Sequence, residues 1–217
     1  TSLTTDYEDQ ELKATEGIDP TWDAGVIVKT YALGDYVWVD TNRDGIQDDD
    51  EDPLEGVIVE LYDEDGNKVA DTTTDANGRY IFDELEAGEY QVKFTLTEEQ
   101  AKKYRFTKQN AGDDSAVDSD ADPSTGWTVV IKLDDENTSL TTDYEDQEVK
   151  ATEGIDPTWD AGVIVKTYAI GDYTWIDTNK DGIQDKDEKP LAGVKVELFD
   201  AKGNKISETT TDANGRY

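Results

Sequence analysis

Apolar and polar residues alternate along this chain in short runs set between turn signals, the pattern of half-buried β-strands. YALGDYVWV (31–39), EGVIVELYD (55–63), KVADTTT (68–74), GRYIFDEL (78–85), EYQVKFTL (89–96), GWTVVIKL (126–133) and WDAGVIVKT (159–167) read as strands. Asp65-Gly66-Asn67 and Ala76-Asn77-Gly78 supply the positive φ that tight hairpins need. Only TEEQAKKY (97–104) has the composition of a helical turn, expected to cross from one sheet to the other. Seven or so short strands so spaced predict an antiparallel β-sandwich. The stretch 138–162 is acidic and Thr-rich and reads as an exposed excursion before the last strand, in which LTTDY and QEVKA could form an extra hairpin.

The strand pattern is written twice. Residues 1–80 return as 138–217 at an offset of 137, so that Tyr31 reappears as Tyr168, Trp38 as Trp175 and Tyr80 as Tyr217. A period this long is a whole domain rather than one rung of a solenoid. Residues 1–30 are therefore expected to end a preceding repeat, 31–167 to form a complete repeat, and 168–217 to begin the next, within a longer array. The copies also test which way one strand faces. Val57, Val59 and Leu61 return as Val194, Val196 and Leu198, whereas Ile58 becomes Lys195, which turns the first three inward. No Gly/Ser or Pro-rich spacer separates Thr30 from Tyr31, so consecutive domains are expected to be joined tightly.

Composition changes this picture mainly by exclusion. A net charge of −33, with 35% hydrophobic residues, leans towards disorder, but the apolar residues are concentrated in the strands and the acids in turns and outer faces. Such a surface repels phosphate backbones and anionic membranes, so nucleic-acid binding is not expected. No run of about 18 apolar residues is present, and membrane insertion is not expected. With no Cys and no His, disulfides, zinc centres and Ser/His or Cys/His nucleophiles are excluded.

Where the acids fall in a strict order they suggest chemistry. DTNRDGIQDDDE (40–51) follows the twelve-position calcium loop: Asp40, Asn42 and Asp44 at positions 1, 3 and 5, Gly45 at 6, the Ile46 carbonyl at 7, Asp48 at 9 and Glu51 at 12. Alternate side-chain oxygens converge because the backbone curls around the ion, with Gly45 at the sharp turn. All-oxygen donors on a flexible loop suit calcium better than transition metals or magnesium. The second copy keeps every proposed ligand as Asp177, Asn179, Asp181, Ile183, Asp185 and Glu188, while Arg43 and Asp49 change to Lys180 and Lys186 at non-ligand positions. Each loop lies between strands, so there is no helix pair for a calmodulin-like sensor to open. A second cluster, Asp113, Asp114, Asp118, Asp120 and Asp122, is either a further cation site or an exposed inter-strand loop; its spacing follows no strict ligand order. Asp75 and Asn77 read as a hairpin turn, the Trp and Tyr residues as sheet packing, and Asn137-Thr138-Ser139 as a sequon of the kind that arises often by chance.

YALGDYVWVDTNRDGIQDDDE, then PLEGVIVELYD, TTTDANGRYIF, AGEYQVKF, VDSDADPSTG and a DAG-containing last strand together resemble the B-repeat domains of bacterial serine-aspartate-repeat surface adhesins. The resemblance covers 31–167 and restarts at 168. It implies calcium in the loop of Asp40, Asn42, Asp44, Asp48 and Glu51, an immunoglobulin-like sandwich, and a rigid stalk module on the bacterial cell surface or cell wall. Its partners would be neighbouring repeats, with lateral association between chains as a further expectation. Pilin-type relatives close their sandwich with a Lys–Asn isopeptide bond. Here the first strand has no Lys and the last offers Asp23 or Asp160 in place of Asn, so metal is left as the staple. The alternative function is an adhesive module that binds a host protein or glycan by a loop or sheet edge. A carboxylate enzyme has no motif to support it.

Overall fold

The computed structural model describes residues 24–144 and 148–217, in two compact units that meet at Lys166 and Thr167. Residues 1–23, which include Asp23 and most of the expected end of a preceding repeat, and Glu145, Asp146 and Gln147 lie outside the described residues.

In the first unit, β1 (Tyr31–Val39) organises one sheet. Antiparallel to it run β2 (Asp52–Pro53) and β5 (Arg79–Leu85). On its other edge β9 (Ile155–Asp156) and β10 (Ala161–Val165) run parallel to it, and β7 (Tyr104–Phe106) is antiparallel to β10. The second sheet is antiparallel, in the order β4 (Lys68–Thr73), β3 (Ile58–Asp63), β6 (Gly88–Thr95), β8 (Ile131–Leu133). The two sheets share one core. Tyr31, Leu33 and Val37 of β1 meet Val59 and Leu61 of β3, Val92 and Phe94 of β6 and Leu133 of β8, all 1% exposed or less. Each fully buried side chain of this size contributes about 1.5–3 kcal/mol. Val57, Val59 and Leu61 are buried and Ile58 is only partly covered, as the Lys195 substitution implied.

The expected crossover is α1 (Glu98–Lys103), which leaves β6 of one sheet and enters β7 of the other. It is closed at its start by a reciprocal Thr97–Gln100 capping box.

The expected sandwich stands, and it holds one parallel contact: the final segment 155–165 lies parallel to β1, a long connection freeing it from the hairpin constraint. Two finer expectations need correction. Only Ile131–Leu133 of the run 126–133 is a strand. Ahead of it, Phe94 N–H reaches the Gly126 carbonyl at 2.8 Å and Trp127 forms an isolated bridge with Lys93, leaving Val129 and Val130 about half exposed. Finally, LTTDY pairs at Thr141 with Ile155 rather than with QEVKA, whose first residue lies outside the described ones. Tyr144, Ala32 and Ile155 form a small second core there.

Glycine at 162 has a packing cause. Trp38 and Gly162 are register partners, and a Cβ on Gly162 would stand 2.8 Å from the Trp38 ring. The fully buried indole thus requires a bare backbone opposite it.

The second unit repeats the start of this plan. β11 (Lys195–Phe199) and β12 (Lys205–Thr210) form the hairpin equivalent to β3–β4, and Trp175 bridges Pro190 as Trp38 pairs with Pro53. Residues 168–217 correspond to positions 31–80 of the first unit; there Leu198 is 39% exposed where Leu61 is 0%, and Ile170 75% where Leu33 is 0%.

Candidate metal centre

The loop 40–51 is closed by its own N–H groups. Asp40, 1% exposed, accepts from Arg43 N–H at 2.5 Å through Oδ1 and from Gly45 N–H at 3.0 Å through Oδ2. Asp44 Oδ1 accepts from Ile46 N–H at 2.9 Å. Glu51 closes the ring: Oε1 takes Thr41 N–H at 2.6 Å and Oε2 takes Asp48 N–H at 3.3 Å. Arg43 and Gly45 adopt φ of 66° and 82°, which makes the sharp curl.

At the centre stands Asn42. Its Nδ2 donates to Asp44 Oδ2 at 2.9 Å and to Asp48 Oδ2 at 2.8 Å, so positions 3, 5 and 9 of the calcium pattern are drawn to one point. The amide hydrogens are the positive end of a dipole, placed where two carboxylates would otherwise repel. In the second unit Asn179 Nδ2 does the same to Asp181 and Asp185, both at 2.9 Å. Asp177 and Glu188 repeat the bonds of Asp40 and Glu51. The donor set is all oxygen and fits a hard cation such as calcium. Among the described residues no three acidic side chains already form a coordination sphere, since most of the loop carboxylate oxygens face N–H groups, so ligation requires them to turn.

The first loop is also anchored from outside. Gln47 N–H bonds the Val117 carbonyl at 2.7 Å, Ser119 N–H the Gly45 carbonyl at 3.2 Å, and Ile46 bridges Asp118. Asp40 N–H reaches Val163 of β10 at 2.8 Å, and the buried Thr107 hydroxyl donates to Asp40 Oδ2.

The second acidic cluster is divided by the fold. Asp113 and Asp114 are exposed, and Asp122 makes a turn, accepting from Ser124 and Thr125, whose hydrogen bonds hold its carboxyl below the usual range. Asp118 and Asp120 point inward, 5% and 6% exposed. Burial pushes Asp120 up to about 8, opposed by the Asp160 N–H and aided by the charges of Asp118, Asp156 and Asp35. Asp160, fully buried, lies well above the carboxylate range, first by burial and then through Asp35 and Asp120. Reading the sequence singled out neither Asp35 nor Asp156 and considered Asp160 only as a crosslink position. The signal was there: Asp35 shares its parity on β1 with the core residues Leu33 and Val37.

The hairpin turn at Asp75 is as read, its Oδ1 accepting from Asn77 and Arg79 N–H. Asn137 of the sequon is engaged, its Nδ2 donating to Asp156 at 2.8 Å. Tyr62 packs on Trp127, over which Lys93 Nζ stands at 5.3 Å. Among the described residues no helix is long and apolar enough to cross a membrane.

Residues 31–163 and 168–217 match the family model described as the SdrD B-like domain. Serine-aspartate repeat-containing protein F of Staphylococcus epidermidis is 47% identical over 197 residues, which are 91% of this chain and 10% of that protein. Serine-aspartate repeat-containing protein C of Staphylococcus aureus (strain N315) is 45% identical over 191 residues, 87% of this chain and 17% of that protein. The chain therefore spans less than a fifth of the length of either relative. Among solved structures, the Bacillus anthracis TIE protein aligns with 88% of this chain and 26% of its own at 14% identity, with a TM-score of 0.40.

Proposed function

The chain belongs to the SdrD B-like domain family, and from that premise we propose that it is a structural module of an extracellular, cell-surface stalk, stiffened by calcium held in its acidic loops. The observation that carries this reading is the convergence of Asn42, Asp44 and Asp48, repeated by Asn179, Asp181 and Asp185 in the second unit. The same side-chain arrangement in both units supports the reading that the twelve residues themselves gather the donors.

Asp40, Asn42, Asp44, Asp48, Glu51 and the Ile46 carbonyl would hold the ion in the first unit, and Asp177, Asn179, Asp181, Asp185, Glu188 and the Ile183 carbonyl in the second. A bound divalent cation supplies charge neutralisation. The protein's part is to fasten the loop to Val117–Ser119 and β10, so that order in the loop is passed to the sandwich. The partners in this role are neighbouring repeats of the same array.

Thermal melting in chelator and in millimolar calcium tests the idea. Calcium binds the folded loop only, and at a hundred times its Kd should add about 2.7 kcal/mol to stability. Asp44→Ala and Glu51→Ala should each remove most of the gain from the first loop. Identical melting in chelator and calcium would end the proposal.

A further inference from the structure

The same run, Ala-Gly-Val-Ile-Val-Lys-Thr, occurs at 24–30 and again at 161–167, in opposite surroundings. At 161–165 it is β10, laid between β1 and β7, with Ala161 and Val163 0% exposed and Ile164 6%. At 24–28 it lies outside every strand, and Val26, Ile27 and Val28 are 95%, 80% and 71% exposed. Three adjoining β-branched side chains in water are the makings of a strand without a sheet.

The first unit shows what this run fits, and the second unit presents the same fittings. β10 runs parallel to β1, with Ala161, Gly162 and Val163 opposite Val37, Trp38 and Val39. The Val163 carbonyl accepts the Asp40 N–H at 2.8 Å, and Ala161 and Val163 join Val37 and Val57 in the core. In the second unit the receiving positions are Thr174, Trp175, Ile176, Asp177 and Val194. Trp175 is bridged to Pro190 on one side; among the described residues no strand pairs with it on the other, and no backbone carbonyl takes the Asp177 N–H. A hollow of about 330 Å3, lined by Tyr173, Thr174, Trp175, Asp177, Leu191 and Val194, borders the indole.

We propose that residues 24–28 of one copy dock as a parallel strand beside Trp175 of a second copy, with Ala24, Gly25 and Val26 opposite Thr174, Trp175 and Ile176. Sequence identity chooses the occupant: the five residues match β10 without a substitution, and Gly25 supplies the bare backbone that Gly162 supplies to Trp38. Each copy carries both surfaces, so contacts can continue from chain to chain. Five residues cover less than the about 1,200 Å2 of a stable interface, and copies with a net charge of −33 repel each other, so the association should be weak and strengthened by salt. The contact uses the Asp177 N–H rather than its carboxylate, which keeps it apart from calcium in the loop.

Sedimentation of the full chain over a concentration series, in chelator and high salt, should show a mass that climbs above that of one chain. Gly25→Val is the deciding variant. A Cβ at Gly25 meets nothing within 4 Å in the free chain, whereas in the docked strand it would meet the Trp175 ring as a Cβ at Gly162 would meet that of Trp38, at 2.8 Å. The substitution should therefore leave folding alone and weaken association about tenfold or more. General stickiness predicts the reverse, because Val adds apolar surface, and association of Gly25→Val as strong as the parent's would overturn the proposal. The register is read by mixing Val26→Cys chains with Ile176→Cys chains, since the protein has no Cys of its own. Oxidation should join one chain of each kind, and Val28→Cys, two residues out of register, should join poorly to Ile176→Cys; equal yields would overturn the pairing. A chain that stays single at every concentration, whether free or closed on its own second unit, would overturn the proposal as well.

Discussion

The acidic loop occurs twice in one chain, at 40–51 in the first unit and at 177–188 in the second. The internal hydrogen bonds of the two are nearly superposable in kind and length: Arg43 to Asp40 and Lys180 to Asp177, Thr41 to Glu51 and Thr178 to Glu188, the paired Asn amides on their flanking acids. Their surroundings are not alike. Asp40 and Gly45 are buried, whereas Asp177 is only partly buried and Gly182 is exposed. The shape of the loop is thus a local property of twelve residues. Its burial is conferred from elsewhere, by Thr107, Val117–Ser119 and β10.

The sharpest way to break this comparison is at the central glycine. Gly45→Ala meets a positive φ and places its Cβ 2.8 Å from the Ala111 Cβ and 3.1 Å from the Lys108 carbonyl oxygen, whereas at Gly182 nothing lies within 4 Å. The backbone penalty, about 1–2 kcal/mol, is common to both sites. Overpacking should add about 1–3 kcal/mol at Gly45 alone. Hydrogen exchange followed separately over 31–166 and 167–217 reads the two losses. Equal losses would mean that the first loop's anchorage adds no constraint.

A smaller effect is expected at Thr107. Thr107→Val removes the hydroxyl that donates to buried Asp40 and should cost the first unit about 1–3 kcal/mol, with no change at 177–188. Thr107→Ser should restore most of it. Urea unfolding of the three chains decides between lost hydrogen bonding and lost packing, since a poor rescue by Ser would point to the methyl.

The smallest change should come at Asp49, an exposed non-ligand position where the second loop carries Lys186 with the same hydrogen bonds around it. Asp49→Lys should stay within about 0.5 kcal/mol in melting experiments. A calcium affinity reduced as much as by Asp44→Ala would replace a coordination loop with diffuse attraction.

The same contrast explains what could be read from the sequence. The loop was legible because its bonds join residues at most ten apart, so spacing carries the information. The inward face of Val57, Val59 and Leu61 was legible from alternation, checked by Lys195. The carboxyl cluster was not, because Asp35, Asp120 and Asp160 are brought together only by the parallel docking of 155–165 on β1, a pairing that no short-range pattern encodes. The failure at 126–130 has a similar origin: the valines there look like strand, but Gly126, at φ 75° and with a would-be Cβ 2.2 Å from the Phe94 carbonyl oxygen, turns the backbone off the ladder. An acid at a core parity of β1 was the one visible warning.

The parallel pair has a mechanical meaning. β1 enters the first unit and β10 leaves it, and because they point the same way, with Val37, Trp38 and Val39 beside Ala161, Gly162 and Val163, tension applied to the two ends would slide the strands along each other. Sliding loads the hydrogen bonds of the pair together, whereas an antiparallel pair pulled from one end opens bond by bond. A module whose first and last strands are clasped in this way would yield to force late and abruptly.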